Sequence, residues 1–308
     1  MDRQNILPCD DRGIEEAARL ILAGQPVAVP TETVYGLAAD ATSEAAVQAI
    51  YAAKGRPSFN PLIVHVRDLA QAETIGRFNP VARALASAHW PGPLTLVVPS
   101  RPEAGIAPGV TAGLATIALR CPAHPAMQAL LAAVGRPLAA PSANASGGIS
   151  PTDAHHVARS LGGRIALILD GGPTSRGLES TIVRADEDGV TLLRPGPIVI
   201  DGAVAARHEA RIEAPGQLAS HYAPAKPLRL GAEAAEPDEW LIGFGMVSGD
   251  DSLSVRGNLH EAAAGLFAAL HRADSEAKPR IAVAPIPEEG IGAAINDRLR
   301  RAAAPRGD

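Results

Sequence analysis

Along 11–24 apolar residues recur at helical spacing until Gly24 ends the run, and a short aliphatic stretch at 26–29 follows at strand spacing. The alternation then repeats. A helix is predicted over 43–54, stopped by Gly55, with further helices near 80–89, 124–134 and 151–161. Runs of β-branched and aliphatic residues predict strands at 62–66, 94–98, 116–119, 165–169 and 182–184. Helices and strands in alternation define an α/β domain, here with a mixed sheet. For the helix over 151–161, Ser150 is the predicted N-cap, Pro151 the first-turn residue and Asp153 a favourable acid, so that helix start can receive an anion. From 213 to 227, Pro, Gly, Ala and Ser surround a lone His221-Tyr222 pair, the composition of a linker. Beyond it, strands at 240–244 and 281–284 and helices near 258–272 and 292–303 predict a small second α/β unit. The expected organisation is a first domain over 1–212, a linker over 213–227 and a second domain over 228–308.

Composition narrows the class. The chain has 308 residues, enough for a large core, and its 46% hydrophobic but only 3% aromatic content means aliphatic packing. A net charge of -5 excludes a surface that is basic all over, so any cationic site must be local. Two cysteines, Cys9 and Cys121, cannot build a disulfide framework or a zinc ribbon and fit a reducing compartment. Residues 1–11 carry acids and a proline where a secretory signal needs a basic end and an apolar run, and no stretch approaches eighteen uninterrupted apolar residues. A cytoplasmic protein with no membrane partner is expected.

Polar loops stand just after the aliphatic strands, where open α/β sheets hold their ligands. They are Pro30-Thr31-Glu32-Thr33-Val34-Tyr35-Gly36-Leu37, Lys54-Gly55-Arg56-Pro57, Pro141-Ser142-Ala143-Asn144, Gly177-Leu178-Glu179-Ser180-Thr181 and Leu193-Arg194-Pro195-Gly196. Together they offer Lys54, Arg56 and Arg194, with Arg120 as a fourth cation at a strand end, and many hydroxyl donors. That set suits a polyanion, because Arg grips carboxylate or phosphate in a bidentate manner and Lys supplies a compact charge. No Walker loop is present, so ATP would be held by dispersed side chains.

Each position also admits an ordinary role. Lys54 and Arg56 can complement a helix dipole. Thr31, Ser142 and Ser180 can serve as turn or cap hydroxyls, and Tyr35 as a buried phenol. Arg120 and Arg194 can end in surface ion pairs, and His65 within an aliphatic strand is a core histidine by default. A dinucleotide reading of 243–249 fails because the last glycine lies one place too far for the fingerprint. Adjacent His155 and His156 diverge on a helix, His260-Glu261 lacks the second histidine of a zincin, and Ser142 lacks a nucleophile-elbow setting. No protein-bound metal is predicted. A double-stranded RNA-binding or ribosome-maturation module using the same basic groove for a phosphate backbone is the competing class.

Read as an ordered set, the motifs are more specific than any one of them. The motifs at 30–37, 54–57, 140–144 and 179–181, with Asn60-Pro61-Leu62-Ile63-Val64-His65, Trp90-Pro91-Gly92-Pro93-Leu94-Thr95, Thr111-Ala112-Gly113-Leu114, Ser150-Pro151-Thr152 and Leu169-Asp170-Gly171-Gly172, resemble the YrdC family of threonylcarbamoyl-AMP synthases. Ala214-Pro215-Gly216 and His221-Tyr222-Ala223-Pro224 resemble the linker of the family's long form. Asn258-Leu259-His260-Glu261-Ala262-Ala263 and Gly292-Ala293-Ala294-Ile295-Asn296-Asp297-Arg298-Leu299 are similar to its second domain. One departure is Gln217-Leu218-Ala219-Ser220, where some relatives carry Met-Lys-Tyr-Lys. A carbamoyl-transferring maturation factor could share the domain, but it would bring zinc fingers that two cysteines cannot supply.

The resemblance implies a YrdC-like twisted mixed sheet with helices around a large groove, plus a small Rossmann-like C-terminal domain, with the linker over the site. It implies that Thr31, His65, Arg120, Ala140 and Ser180 surround L-threonine, with Tyr35 nearby. Lys54, Arg56, Ser58, Thr116, Ser142, Asn144, Ser150, Arg194 and Tyr222 would hold ATP, with Lys54, Arg56, Ser142 and Asn144 nearest the chemistry. The implied reaction joins L-threonine, bicarbonate or CO2 and ATP, the last with Mg2+, into threonylcarbamoyl-AMP for a tRNA modification. A threonylcarbamoyl transferase complex would take the product, and the groove leaves room for a weak RNA contact.

Overall fold

Helix ends in this chain are set by side chains that complete the backbone. In the computed structural model, Asp10 caps α1 (Asp11–Leu22) by accepting from Gly13 N at 2.8 Å, and Ser43 caps α2 (Glu44–Lys54) through Ala46 N. Gly55 then closes α2 in the left-handed conformation that a residue with a Cβ adopts at a cost. The structure describes residues 5–186, 189–206, 214 and 221–305. Seven of the fifteen residues of the expected linker, including Pro215-Gly216 and Gln217-Leu218-Ala219-Ser220, lie outside the described residues.

The first sheet contains β1 (Asn5–Pro8), β2 (Val27–Val29), β3 (Gly36–Asp40), β4 (Ile63–His65), β5 (Leu94–Pro99), β6 (Thr116–Arg120), β7 (Leu138–Ala139), β8 (Leu167–Asp170), β9 (Thr181–Asp186), β10 (Gly189–Arg194) and β11 (Val204–Ala205). Among the described residues these lie in the order β1-β8-β2-β3-β7-β4-β6-β5-β9-β10-β11. The sheet is mixed: β4 and β6 are parallel, for example, while β7 and β5 flank that pair in the opposite direction. Helices α3 (Leu69–Ile75), α4 (Pro80–His89), α5 (Pro108–Thr111), α6 (Pro125–Val134) and α7 (Ala154–Leu161) complete this part with α1 and α2. A separate sheet has the order β12 (Leu228–Leu230), β15 (Arg280–Val283), β13 (Glu239–Gly243), β14 (Asp251–Ser252), all parallel, with α8 (Leu259–Ser275) and α9 (Ile291–Ala303).

Two apolar layers sandwich the large sheet. One gathers Ile50, Val64, Leu96 and Leu119, and the other packs α1 and α6 through Ile21, Met127 and Leu130. A third core joins the two sheets' units: Val34, Ile149, Leu178 and Tyr222 pack with Leu266, Phe267 and Leu270 of α8. Each fully buried aliphatic or aromatic side chain there contributes roughly 1.5–3 kcal/mol, so the smaller unit is seated on the larger by ordinary hydrophobic burial.

The structure corrects the sequence reading in three places. Helix α7 begins at Ala154 with Asp153 as its cap, accepting from His156 N at 2.9 Å, rather than at Pro151 with Ser150 as cap. Ser150 is otherwise engaged, its hydroxyl donating to Glu179. Gly36-Leu37, read as loop, opens the wholly buried strand β3, and Leu193-Arg194 ends strand β10 instead of forming a loop.

Candidate active site

Strand register brings the polar residues together. His65 at the end of β4 lies opposite Arg120 at the end of β6, and Thr95 of β5 lies on Arg120's other side. Thr95 Oγ1 and Ser180 Oγ, just before β9, are 2.7 Å apart. Arg194, ending β10, donates through Nη2 to Ser180 Oγ at 3.1 Å and to Ser180 O at 2.9 Å. Four strand ends thus present His65, Arg120, Ser180 and Arg194 to one cleft, which Arg56, Ser142 and Tyr222 also line.

The cations are held differently from one another. Arg120 donates from Nη2 to Glu32 Oε1 at 2.7 Å and from Nη1 to Thr33 Oγ1 at 2.9 Å, while its buried Nε has no partner. Arg56 donates to the carbonyls of Asn60 and Pro61 at 3.2 and 2.9 Å, and burial lowers its pKa to about 10, still charged at neutral pH. Lys54 does not line the cleft. Its Nζ donates to the carbonyls of Ser142 and Asn144, pinning the loop that does, and burial pushes its pKa well below the usual lysine value.

Buried polar atoms without partners mark where a ligand fits, since such atoms are normally hydrogen-bonded. Among the described residues, four such atoms, His65 Nδ1, Arg120 Nε, His221 Nδ1 and the Tyr222 hydroxyl, belong to residues that line the cleft, while those of Asn60, Thr174 and Trp240 lie elsewhere. Asn144 Oδ1 is likewise without a partner in the adjoining loop. Burial and the Arg120 charge depress His65 to a pKa of about 3, so its imidazole is neutral at physiological pH and can accept or donate a hydrogen bond. His221 is held well below its usual value chiefly by burial and then by Arg56 and Lys54.

Of the residues expected from sequence, His65, Arg120, Ala140, Ser180, Arg56, Ser142, Arg194 and Tyr222 line one cleft. Thr31, Tyr35, Lys54, Asn144 and Ser150 stand in its supporting wall. Thr31 Oγ1 donates to Val34 O at 2.7 Å and turns the 31–34 loop, and the Tyr35 hydroxyl donates to Gly172 O at 2.8 Å. Ser58 is exposed, and Thr116 lies at the opposite end of β6 from Arg120.

Two carboxylates that the sequence did not single out also belong here. Glu32 sits against Arg120; burial opposes its ionisation, but the Arg120 charge and hydrogen bond outweigh that and lower its pKa. Glu179 lines the cleft, and its ionised form is favoured against burial mainly by Arg298 and Arg194. A carboxylate within a turn loop looks like a surface residue in sequence, and only the fold shows that each is paired with a buried arginine.

Thr33, Ile63 and Pro141 line the cleft too, all within motifs already quoted. What this arrangement offers is an anion-binding wall of three arginines and several hydroxyls, with neutral imidazoles between them. Among the described residues no group of three or more His, Cys, Asp and Glu could hold a metal ion. Both thiols lie at about pKa 11, raised first by burial, and neither is poised as a nucleophile.

Known proteins share this architecture. A family model for Sua5, YciO and YrdC proteins, described as "Telomere recombination", matches residues 19–196, and one described as "Threonylcarbamoyl-AMP synthase, C-terminal domain" matches residues 191–304. A threonylcarbamoyl-AMP synthase of Bacillus subtilis is 41% identical over 99% of this chain and 97% of its own. Its counterpart in Pyrococcus abyssi is 39% identical over 94% and 93%. The crystal structure of P. abyssi Sua5 complexed with L-threonine superposes with a TM-score of 0.88 at 36% identity, covering 97% of both chains.

Proposed function

The chain belongs to the Sua5/YciO/YrdC family, and from this premise we propose that it is a threonylcarbamoyl-AMP synthase, a nucleotidyltransferase that supplies a tRNA modification. The observation that carries this reading is the convergence of Arg56, Arg120 and Arg194 with four buried, unpartnered polar groups on one cleft. An amino acid beside a triphosphate asks for that combination: several fixed positive charges and several polar atoms left unpaired until the substrates arrive.

The reaction has two steps. The threonine amine adds to CO2 with release of a proton, or condenses with bicarbonate with loss of water, to give a carbamate. A carbamate oxygen then attacks the α-phosphorus of ATP; the bond from that phosphorus to the β-phosphate bridge breaks, and pyrophosphate leaves with its electron pair. Bringing together a carboxylate, a carbamate and a triphosphate is an electrostatic and orientational task. Arg120, held by Glu32 and Thr33, directs its unpartnered Nε to the threonine carboxylate, and Ser180 stands beside it. Neutral His65 offers Nδ1 to the amine or hydroxyl, and with a pKa of about 3 it is too weak a base to deprotonate an ammonium. Arg56 and Arg194 offset the triphosphate, while Lys54 fixes the 142–146 loop against which the nucleotide lies. Tyr222 supplies a hydroxyl from the segment joining the two units.

The catalytic domain on this reading is 1–212, the linker 213–227 and the C-terminal domain 228–308. Magnesium enters with ATP as part of the substrate. The product passes to a threonylcarbamoyl transferase in the cytoplasm; no described helix is long and apolar enough to cross a membrane.

Pyrophosphate release measured with ATP, L-threonine and bicarbonate, and with each omitted in turn, tests the assignment. Release should require all three. Equal release without threonine would remove the assignment, and salt-dependent RNA affinity with no ATP turnover would favour the RNA-binding class instead.

A further inference from the structure

The loop against which the nucleotide lies is fastened at both ends, and the two fasteners come from different units. At its start Lys54 donates to the carbonyls of Ser142 and Asn144. At its end Ser150, Pro151 and Thr152 present three successive carbonyls, each met by a different donor. Tyr35 N donates to Pro151 O at 2.9 Å and Thr174 N to Thr152 O at 2.9 Å, both from the larger unit. Among the described residues the donor to Ser150 O is His271 Nε2 of α8, at 3.1 Å. A carbonyl only accepts, so Nε2 carries the hydrogen. The ring that reaches across is held flat: it stacks on His156 of α7 with centroids 3.8 Å apart and planes 12° apart. His156 in turn accepts through Nδ1 from Thr152 N at 3.3 Å. Two imidazoles, one from each unit, thus hold the chain on either side of Pro151. Burial above all lowers His156 to a pKa of about 4 and His271 to about 3, so both rings of the stack are neutral at physiological pH.

We propose that His271 is a positioning residue for the nucleotide half of the reaction: it fixes Ser150, and with it the far end of the 142–150 loop, against the cleft. The inference rests on the synthase reading of that cleft. Two observations separate it from a simple tie between units. The seam of Val34, Ile149 and Leu178 against Leu266, Phe267 and Leu270 already joins them by hydrophobic burial, beside which one hydrogen bond to a carbonyl contributes little. The imidazole stack also borders an open cavity of about 330 Å3 between the units, so it directs the chain beside it rather than filling space. What it directs reaches the cleft by two routes. The Ser150 hydroxyl donates to Glu179, which lines the cleft, and Gly148 O, two residues earlier, accepts from Asn144 Nδ2 at 2.8 Å. Ser150 has no exposed surface, so its carbonyl depends on a donor from within the protein.

The test follows pyrophosphate release against ATP and against threonine for the full chain and for His271→Phe, His271→Gln and His271→Ala, with thermal unfolding as a check on folding. His271→Phe keeps a ring on His156 but loses the donor. It should raise KM for ATP by about fivefold or more, while KM for threonine and the melting temperature stay near the parent's. His271→Gln keeps an N–H donor in reach and should lie within about twofold of the parent's KM for ATP. His271→Ala opens a gap onto the cavity, and free imidazole entering it should bring a raised KM for ATP back toward the parent value, with no such effect on the parent itself. The proposal is overturned by a parent-like KM for ATP in His271→Phe, by a His271→Gln as impaired as His271→Phe, by KM values for both substrates that rise together, or by a His271→Ala that imidazole does not improve. Should His271→Phe fail to fold, His271→Ala with and without imidazole decides; failure of both to fold also overturns the proposal, since the contact would then be a tie. A parent protein that releases no pyrophosphate with all three substrates would instead sink the synthase reading itself.

Discussion

Arg120 and Glu32 form a buried pair, Nη2 to Oε1 at 2.7 Å, whose carboxylate also accepts from Ala123 N at 3.1 Å. The pair holds Arg120 in one orientation, with Nε left for a ligand. Glu32→Gln should therefore cost about 3–5 kcal/mol in urea unfolding, the usual effect of removing one partner of a buried ion pair. The folded-state pKa of Glu32 is lowered, so its contribution is present above the unfolded value of 4.5 and is lost as pH falls through the folded value. The parent's acid limb should be steeper there than that of Glu32→Gln, and limbs of equal slope would show the pair to be unimportant.

Lys54 and Arg120 should fail differently. Lys54→Met leaves Asn144 O without its donor and Ser142 O with Asn144 N alone, which costs about 1–3 kcal/mol in stability and weakens nucleotide use through a loosened 142–146 loop. Arg120→Ala should raise the threonine requirement more than it changes apparent ATP affinity. Initial-rate measurements over both substrates separate the two, and equal effects from either variant would contradict the division of the cleft.

Much of this site was legible in sequence because it sits at the ends of aliphatic strands. The run ending at Arg120 is a strand, and its terminal arginine shares one cleft with Arg194 of the polar 193–196 motif. The misses have physical causes. Strand β3, Gly36-Leu37-Ala38-Ala39-Asp40, has low strand propensity and forms because the fold buries it on both faces. Ser150 and Asp153 are both good caps in sequence, and the choice between them depends on Glu179, which takes the Ser150 hydroxyl. The pairing of Glu179 with Arg298 spans 119 residues, and no local pattern says which buried carboxylate meets which arginine.

Tyr222 offers a cleaner separation of function from stability. Its hydroxyl is buried without a partner, so Tyr222→Phe removes no hydrogen bond in the free protein and relieves about 1 kcal/mol of desolvation cost. The variant should melt at or above the parent's temperature while needing more ATP for half-maximal rate. A variant that melts lower, with unchanged ATP dependence, would put that hydroxyl outside the nucleotide's reach.

His65 should give no ionisation to the rate profile between pH 6 and 8, because its folded-state pKa is about 3. Its effect appears in stability instead. Depression from 6.5 means the unfolded chain takes up the proton more readily, so the contribution is complete above pH 6.5 and declines as pH falls toward about 3. In urea titrations His65→Gln should flatten that decline. A parent whose stability is level from pH 6.5 to 5, or a bell-shaped rate profile that His65→Gln abolishes, would show the imidazole to be charged in the folded protein.

At Gly177 the backbone of the larger unit lies close against that of α8. It adopts φ +67°, and a Cβ there would lie 2.3 Å from Ala264 O and 2.5 Å from Ala263 O of α8, contacts that neither backbone can relieve by changing a rotamer. Gly177→Ala therefore has two costs, a left-handed conformation that disfavours side chains and a forced separation of the loop from α8. The loop leads through Leu178, which packs in the shared core, to Glu179 and Ser180, so a shift of even an ångström moves the carboxylate off Arg298 and the hydroxyl off Arg194. The larger sheet's own cores do not depend on this contact. Gly177→Ala should thus remain folded in its first unit, show faster hydrogen exchange along α8, and lose pyrophosphate release by about tenfold or more. Parent-like exchange along α8 together with parent-like activity would mean the seam yields without disturbing the cleft.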